Sequence, residues 1–203
     1  IRAVANFSKV SEGEYKEQFN YAIAASQDPG STFKLASYMA LLEDKKVDTS
    51  TLVATGDGTY RIPGHTIRDS HGGIGTVSVK RAFEESSNVA IAKLINAAYQ
   101  NDQEKFPAHL YDWGLNKKLV LQIPGEGQPV IKNPNNRSWN KKQSLPQMAY
   151  GYEMQITPLQ MLAFYNAVAN DGRYIAPIFV REIRRLGNTV EQFKARVINE
   201  KIV

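Results

Sequence analysis

The sequence contains no cysteine, which excludes a disulfide framework and a thiolate metal site together. Histidine is scarce, and His65, His71 and His109 share no metal-ligand spacing, so no metal is expected and nothing calls for a cofactor. No apolar run approaches the ~20 residues that a bilayer crossing requires, and no internal repeat or low-complexity tract interrupts the chain. A signal peptide is also missing. Ile1 falls inside a strand-like pattern, however, so the natural start is expected upstream. Basic residues are in modest excess, 25 against 20 acidic for a net charge of +5. A nucleic-acid binder sets a basic stripe among aromatics on one element. Here the local concentration is a loop with Lys132, Arg137, Lys141 and Lys142, which reads as solvated surface, so no nucleic-acid partner is expected.

What remains is the composition of an ordinary globular protein, 203 residues with 42% hydrophobic and 22% charged, long enough for a real core. Strands are expected at 1–7 and 19–24 about a turn at Ser11-Glu12-Gly13. Asp28-Pro29-Gly30 signals a turn, after which Ser31 to Glu43 runs without Gly or Pro and is apolar nearly all round, the mark of a buried helix. Residues 44–76 read as loop with an extended piece near 60–67, followed by helices at 77–85, 89–99 and 104–113. The stretch 114–155 reads as long and irregular, a form that is often functional. Thr157-Pro158-Leu159-Gln160 predicts a helix to about Asn170, with Thr157 as cap, Pro158 in the first turn and Gln160 completing a capping box. A hairpin is expected from 175–186 and 189–197 across Gly187-Asn188. Strands at both ends with helices between them predict a sheet covered by helices.

Chemistry enters at Ser31-Thr32-Phe33-Lys34. Residues three apart share a helix face, so the Lys34 amine is placed to reach the Ser31 hydroxyl. A serine hydroxyl is a weak nucleophile until a base takes its proton. Lysine serves as that base only when partly neutral, and burial in an apolar helix favours the neutral form. A second element, Ser86-Ser87-Asn88, sits between two expected helices. Taken alone it is a helix break that caps the next helix. Ser-x-x-Lys followed by Ser-x-Asn is the signature of penicillin-interactive serine enzymes.

The resemblance extends beyond those two motifs. Asp28-Pro29-Gly30-Ser31-Thr32-Phe33-Lys34 resembles the nucleophile segment of class B penicillin-binding proteins, and Glu85 to Ala90 their second motif in the division-specific branch. Ile123-Pro124-Gly125-Glu126 is similar to their Leu-Pro-Gly-Glu loop, and Tyr150 to Gln160 to their Gly-Tyr-Gly segment with Thr-Pro-Leu-Gln. Glu153 departs from this pattern, standing where the family commonly has glycine. The third family motif, Lys-Thr/Ser-Gly, is absent, so residues 1–203 are expected to be a partial transpeptidase domain that stops short of it.

The resemblance implies an α/β fold of α+β type, an antiparallel sheet covered by helices with a mostly helical subdomain. It implies acyl transfer, with Ser31 as nucleophile, Lys34 as general base and Ser86 relaying a proton to the leaving group. Asn88 would bind an amide carbonyl of the donor peptide and help orient Lys34. Ser87, Tyr150, Gly151 and Tyr152 are the further substrate-binding candidates, although tyrosines of this kind are as often core residues. The implied partners are peptidoglycan stem peptides ending in D-Ala-D-Ala, β-lactams, and division or elongation membrane proteins. The implied place is the extracytoplasmic face of the cytoplasmic membrane. A β-lactam sensor or a serine β-lactamase would use the same nucleophile. The Thr-Pro-Leu-Gln segment and Pro-Gly-Glu loop favour the transpeptidase over the sensor, and deacylation rate separates the β-lactamase. Asp69 and His71 raise a histidine triad with Ser31, but Lys34 already supplies a base.

Overall fold

The computed structural model describes residues 5–17 and 19–202. The chain begins with a hairpin, β1 (Phe7–Ser11) and β2 (Glu14–Glu17), reversed at Gly13, whose φ of +72° suits glycine. A single helical turn, α1 (Tyr21–Ala24), comes next. A 3₁₀ turn at Gly30–Phe33 then runs straight into α2 (Lys34–Glu43). Beyond it lie β3 (Leu52–Ala54), β4 (Thr59–Ile62), β5 (His65–Arg68) and β6 (Thr76–Ser78). Helices α3 (Val79–Glu84), α4 (Asn88–Tyr99) and α5 (Lys105–Asp112) lead to β7 (Val130–Ile131), α6 (Ser144–Met148) and β8 (Met154–Gln155). Helix α7 (Pro158–Ala169), β9 (Tyr174–Ile175), β10 (Glu182–Arg185), β11 (Asn188–Gln192) and β12 (Val197–Asn199) complete the chain. The strands pair antiparallel as β1–β2, β3–β6, β4–β5, β7–β8, β9–β12 and β10–β11.

These elements gather into two compact units, each assembled from separate stretches of chain. One comprises the residues up to Gln27, Asp112–Pro129 and everything from Ile156; the other comprises Asp28–Tyr111 and Val130–Gln155. In the first unit α7 is buried through Leu159, Met161, Ala163, Phe164 and Ala167, and packs on α1 and β9. Its start is fixed locally: Thr157 Oγ1 accepts from Gln160 N at 3.2 Å, and Gln160 Oε1 accepts from Thr157 N at 2.9 Å, a reciprocal box. Glu126 turns back to accept the Leu119 and Leu121 N–H groups, which closes the Pro124-Gly125 loop.

In the second unit α4 is the central helix, packed on both α2 and α6. It buries Val89, Ala90, Ile91, Ala92, Ile95 and Tyr99, and full burial of each larger side chain here contributes about 1.5–3 kcal/mol. Phe106 links α5 to this core, edge-on to Phe33 at 6.4 Å and stacked on Tyr99 at 5.7 Å. Backbone meets backbone at Gly73, where an added Cβ would lie 1.9 Å from Gly56 O.

Several expected boundaries move. Residues 1–4 lie outside the described residues, and the first described strand begins at Phe7, pairing across Glu12-Gly13 with 14–17 rather than with 19–24. The stretch expected as a strand at 19–24 instead forms α1, with Ala24 N donating to Asn20 O at 2.9 Å; an apolar run this short fits either period. Residues 76–78 form a strand ahead of α3. The expected hairpin is confined to β10–β11, because Ile175 pairs with Val197 instead. The irregular 114–155 stretch contains α6 and the β7–β8 pair.

Candidate active site

Every residue of the candidate site belongs to the second unit. The turn before Ser31 is shaped by Gly30, whose φ of +56° is left-handed and whose N–H donates to Gly151 O at 3.1 Å. Thr32 Oγ1 donates to Pro29 O at 2.8 Å and tightens the same turn. The result exposes Ser31 at the start of a helical segment, where N–H groups have no intrahelical partner. Lys34 opens α2 and is 2% exposed.

The Lys34 amine reaches across to the α3–α4 turn. Nζ donates to Ser86 Oγ at 2.9 Å and also to the Ser86 carbonyl oxygen. Burial lowers its pKa from the ordinary 10.5 to about 8, against the opposing pull of the Asp69 carboxylate. At that value about a tenth of the amine is neutral at pH 7. Tyr38, one turn further along α2, is buried with its hydroxyl unpaired. Burial, reinforced by the Asp69 charge, pushes its ionisation far upward, so it stays neutral.

Ser86 is held at φ +53°, a conformation disfavoured for a residue with a side chain. What holds it is Ser87 and its partner. Ser87 caps α4, its Oγ accepting from Ala90 N at 3.0 Å and donating to Asp69 Oδ2 at 2.8 Å. Asp69 Oδ1 accepts from Val89 N at 3.0 Å, a favourable place for a carboxylate at a helix N-terminus. Ser31, Ser86, Ser87, Asp69, His71 and Glu85 line one cavity of about 190 Å³.

Ser31, Lys34 and Ser86 are thus gathered at one place, with Ser87 beneath them as a buried cap. Asn88 lies beside them, but its side-chain amide donates to Arg68 O at 2.9 Å rather than to Lys34. Gly151 is packed on Gly30, where an added Cβ would lie 2.1 Å from Gly30 O. Tyr150 and Tyr152 do not line the Ser31 cavity. Tyr150 Oη lies 3.4 Å from His65 Nε2, and Tyr152 lines a separate cavity with Asp28, Lys132 and Glu153. The residue that sequence reasoning undervalued is Asp69, considered only as a triad member and found instead as the anchor of the Ser-Ser-Asn turn. Its partner is 18 positions away across a loop, so no helix or strand period signals the contact. Among the described residues there is no group of three or more His, Asp or Glu side chains placed to hold a metal ion.

Residues 2–203 match the penicillin binding protein transpeptidase domain. The chain belongs to this family. Among the penicillin-binding proteins it resembles is the probable peptidoglycan D,D-transpeptidase PenA of Neisseria flavescens, 27% identical over 82% of this chain and 40% of that protein. Stage V sporulation protein D of Bacillus subtilis is 26% identical over 88% of this chain and 26% of its own length. The chain therefore spans less than half of either relative. Among solved structures, a peptidoglycan glycosyltransferase from Burkholderia ambifaria superposes with a TM-score of 0.72 at 22% identity, covering 90% of this chain and 53% of that one. The transpeptidase domain of Burkholderia pseudomallei penicillin-binding protein 3 gives 0.67 at 25% identity, covering 77% and 45%. The penicillin-binding transpeptidase fold expected from the motifs is the fold found. No helix among the described residues is long and apolar enough to cross a membrane.

Proposed function

We propose that this chain carries the acylation centre of a serine D,D-transpeptidase that cross-links peptidoglycan stem peptides. The observation that carries the reading is the buried Lys34 amine, three residues after Ser31, hydrogen-bonded to Ser86 and shifted to about pKa 8. In this reading Ser31 Oγ attacks the carbonyl carbon of the penultimate D-alanine while neutral Lys34 takes its proton. The developing oxyanion is stabilised in part by the Ser31 N–H at the turn. As the tetrahedral intermediate collapses, the C–N bond breaks. The proton passes from Lys34 through the Ser86 hydroxyl to the departing amine of terminal D-alanine. An amine from a neighbouring strand then attacks the acyl-serine, giving up its proton to the same relay, and the peptide bond formed frees Ser31. Asn88 holds the donor peptide's amide carbonyl once its side chain leaves Arg68. A β-lactam presents a strained amide to the same serine, and its leaving group stays tethered.

This chemistry takes place where stem peptides are, on the outer face of the cytoplasmic membrane, in the company of other wall-building proteins. The test is labelling with a fluorescent penicillin and then peptide mapping. Label is expected on Ser31 and is expected to vanish in Ser31→Ala. An adduct on another serine, or persistent labelling of the variant, would overturn the reading.

A further inference from the structure

The segment joining α6 to β8 has a conformation that its sequence does not favour. Glu153 sits at φ +63°, left-handed, although it has a side chain. Its carboxylate is 16% exposed and meets Lys132 Nζ at 2.6 Å, while Lys132 N donates to Glu153 O at 3.3 Å. Residue 153 is thus tied to the end of β7 by both backbone and side chain. Two positions earlier is Gly151, at φ +92°, whose carbonyl accepts the Gly30 N–H. Contact there is too close to leave slack, since even a methyl group would lie 2.1 Å from Gly30 O. The other end of the segment is fixed as well, by Ser37 Oγ donating to Ala149 O at 2.7 Å. Between Ala149 and Glu153 only Tyr150, Gly151 and Tyr152 complete the path, and Gly30 directly precedes Ser31.

We infer that the Lys132–Glu153 ion pair is a positioning device for the nucleophile, holding residue 153 left-handed so that Gly151 fixes the Gly30–Ser31 turn. This rests on the acylation chemistry proposed above. Without the pair, a mostly buried carboxylate is left uncompensated and moves toward solvent. Residue 153 then relaxes toward ordinary backbone angles, and the rotation is passed to Gly151 and Gly30. Lys132 and Glu153 touch no reacting atom; they act through the turn. Lysine is needed here only because residue 153 is not glycine, which adopts this φ unaided.

The test compares saturation kinetics of β-lactam acylation in the parent, Lys132→Met, Lys132→Arg and the double variant Lys132→Met/Glu153→Gly. Rates are normalised to the fraction of Ser31 that labels at end point, so that unfolded protein does not count. Misplacement of a reacting group by about 1 Å costs up to about a hundredfold, so Lys132→Met is expected to slow the chemical step at saturation by about ten- to a hundredfold. Lys132→Arg keeps the pair and should retain most of the rate. Adding Glu153→Gly to Lys132→Met should restore it, because the strained position and the orphaned charge leave together. A purely structural role would lower labelling stoichiometry and leave the saturating rate alone. A parent that fails to label at Ser31 would sink the serine reading and this inference with it. If the parent labels but Lys132→Met acylates at the parental saturating rate, or its defect persists in the double variant, the inference fails alone.

Discussion

Replacing Lys34 by methionine removes an amine that burial makes expensive to charge, and thermodynamic linkage gives the cost. The folded protein holds Lys34 at about 8 against the ordinary 10.5, and each pH unit of difference corresponds to about 1.4 kcal/mol. The folded state thus binds fewer protons than the unfolded state between those two values, so stability rises with pH across that window. Below about pH 8 the full cost, about 3 kcal/mol, weighs on the parent; above about pH 10.5 it has gone. Urea denaturation of parent and Lys34→Met at pH 7 and pH 10 reads this directly. Packing changes and the lost Ser86 hydrogen bonds add a constant to the difference between the two proteins, whereas the charging term changes with pH. The variant's stability relative to the parent is expected to fall by about 2–3 kcal/mol from pH 7 to pH 10. In parallel, parental acylation should rise about tenfold per pH unit and level off above about 8, with roughly a tenth of Lys34 neutral at pH 7. Parallel stability curves for the two proteins would show that Lys34 titrates in the folded state as it does in the unfolded chain, and the general-base argument would collapse.

Asp69→Asn removes the charge that raises the Lys34 pKa while keeping an oxygen for Val89 N–H. The acid limb of the acylation profile should therefore move to lower pH, and urea stability should drop by about 1–3 kcal/mol as charge-assisted bonds weaken; an unmoved limb would refute the coupling. Gly151→Ala places a Cβ 2.1 Å from Gly30 O at φ +92°. It should cost at least about 2 kcal/mol in urea and slow acylation, and a variant matching the parent in both would show that the Gly30 turn is more compliant than its geometry indicates.

How much of this was readable in the sequence depends on how local each cause is. The start of α7 was legible to the residue, because Thr157, Pro158 and Gln160 act on one another within a single turn. The apolar surround of α2 announced the burial of Lys34, whereas the contact its amine makes, with Ser86 across 52 positions, was not written in any local spacing. The turn at Gly13 was visible while its strands were misplaced, since a turn is written in two residues and a register in many. Residues 19–24 were misread because one short apolar run satisfies both periods. Asp69 and the Lys132–Glu153 tie were out of reach, because each joins positions far apart along the chain. Glu153 did leave a trace, as a side chain where the resembled family commonly has glycine, but its partner Lys132 did not.

The interleaving of the two units has a consequence for synthesis. The unit holding Ser31, Lys34 and Ser86 has all its chain once Gln155 has emerged from the ribosome. Helix α1 is made early yet packs on α7, and Gln27 N donates to Ile156 O at 3.3 Å. At about 5–20 residues per second, α1 waits roughly 7–27 seconds for α7. That helix emerges only after the unit holding Ser31 can already have closed around Lys34.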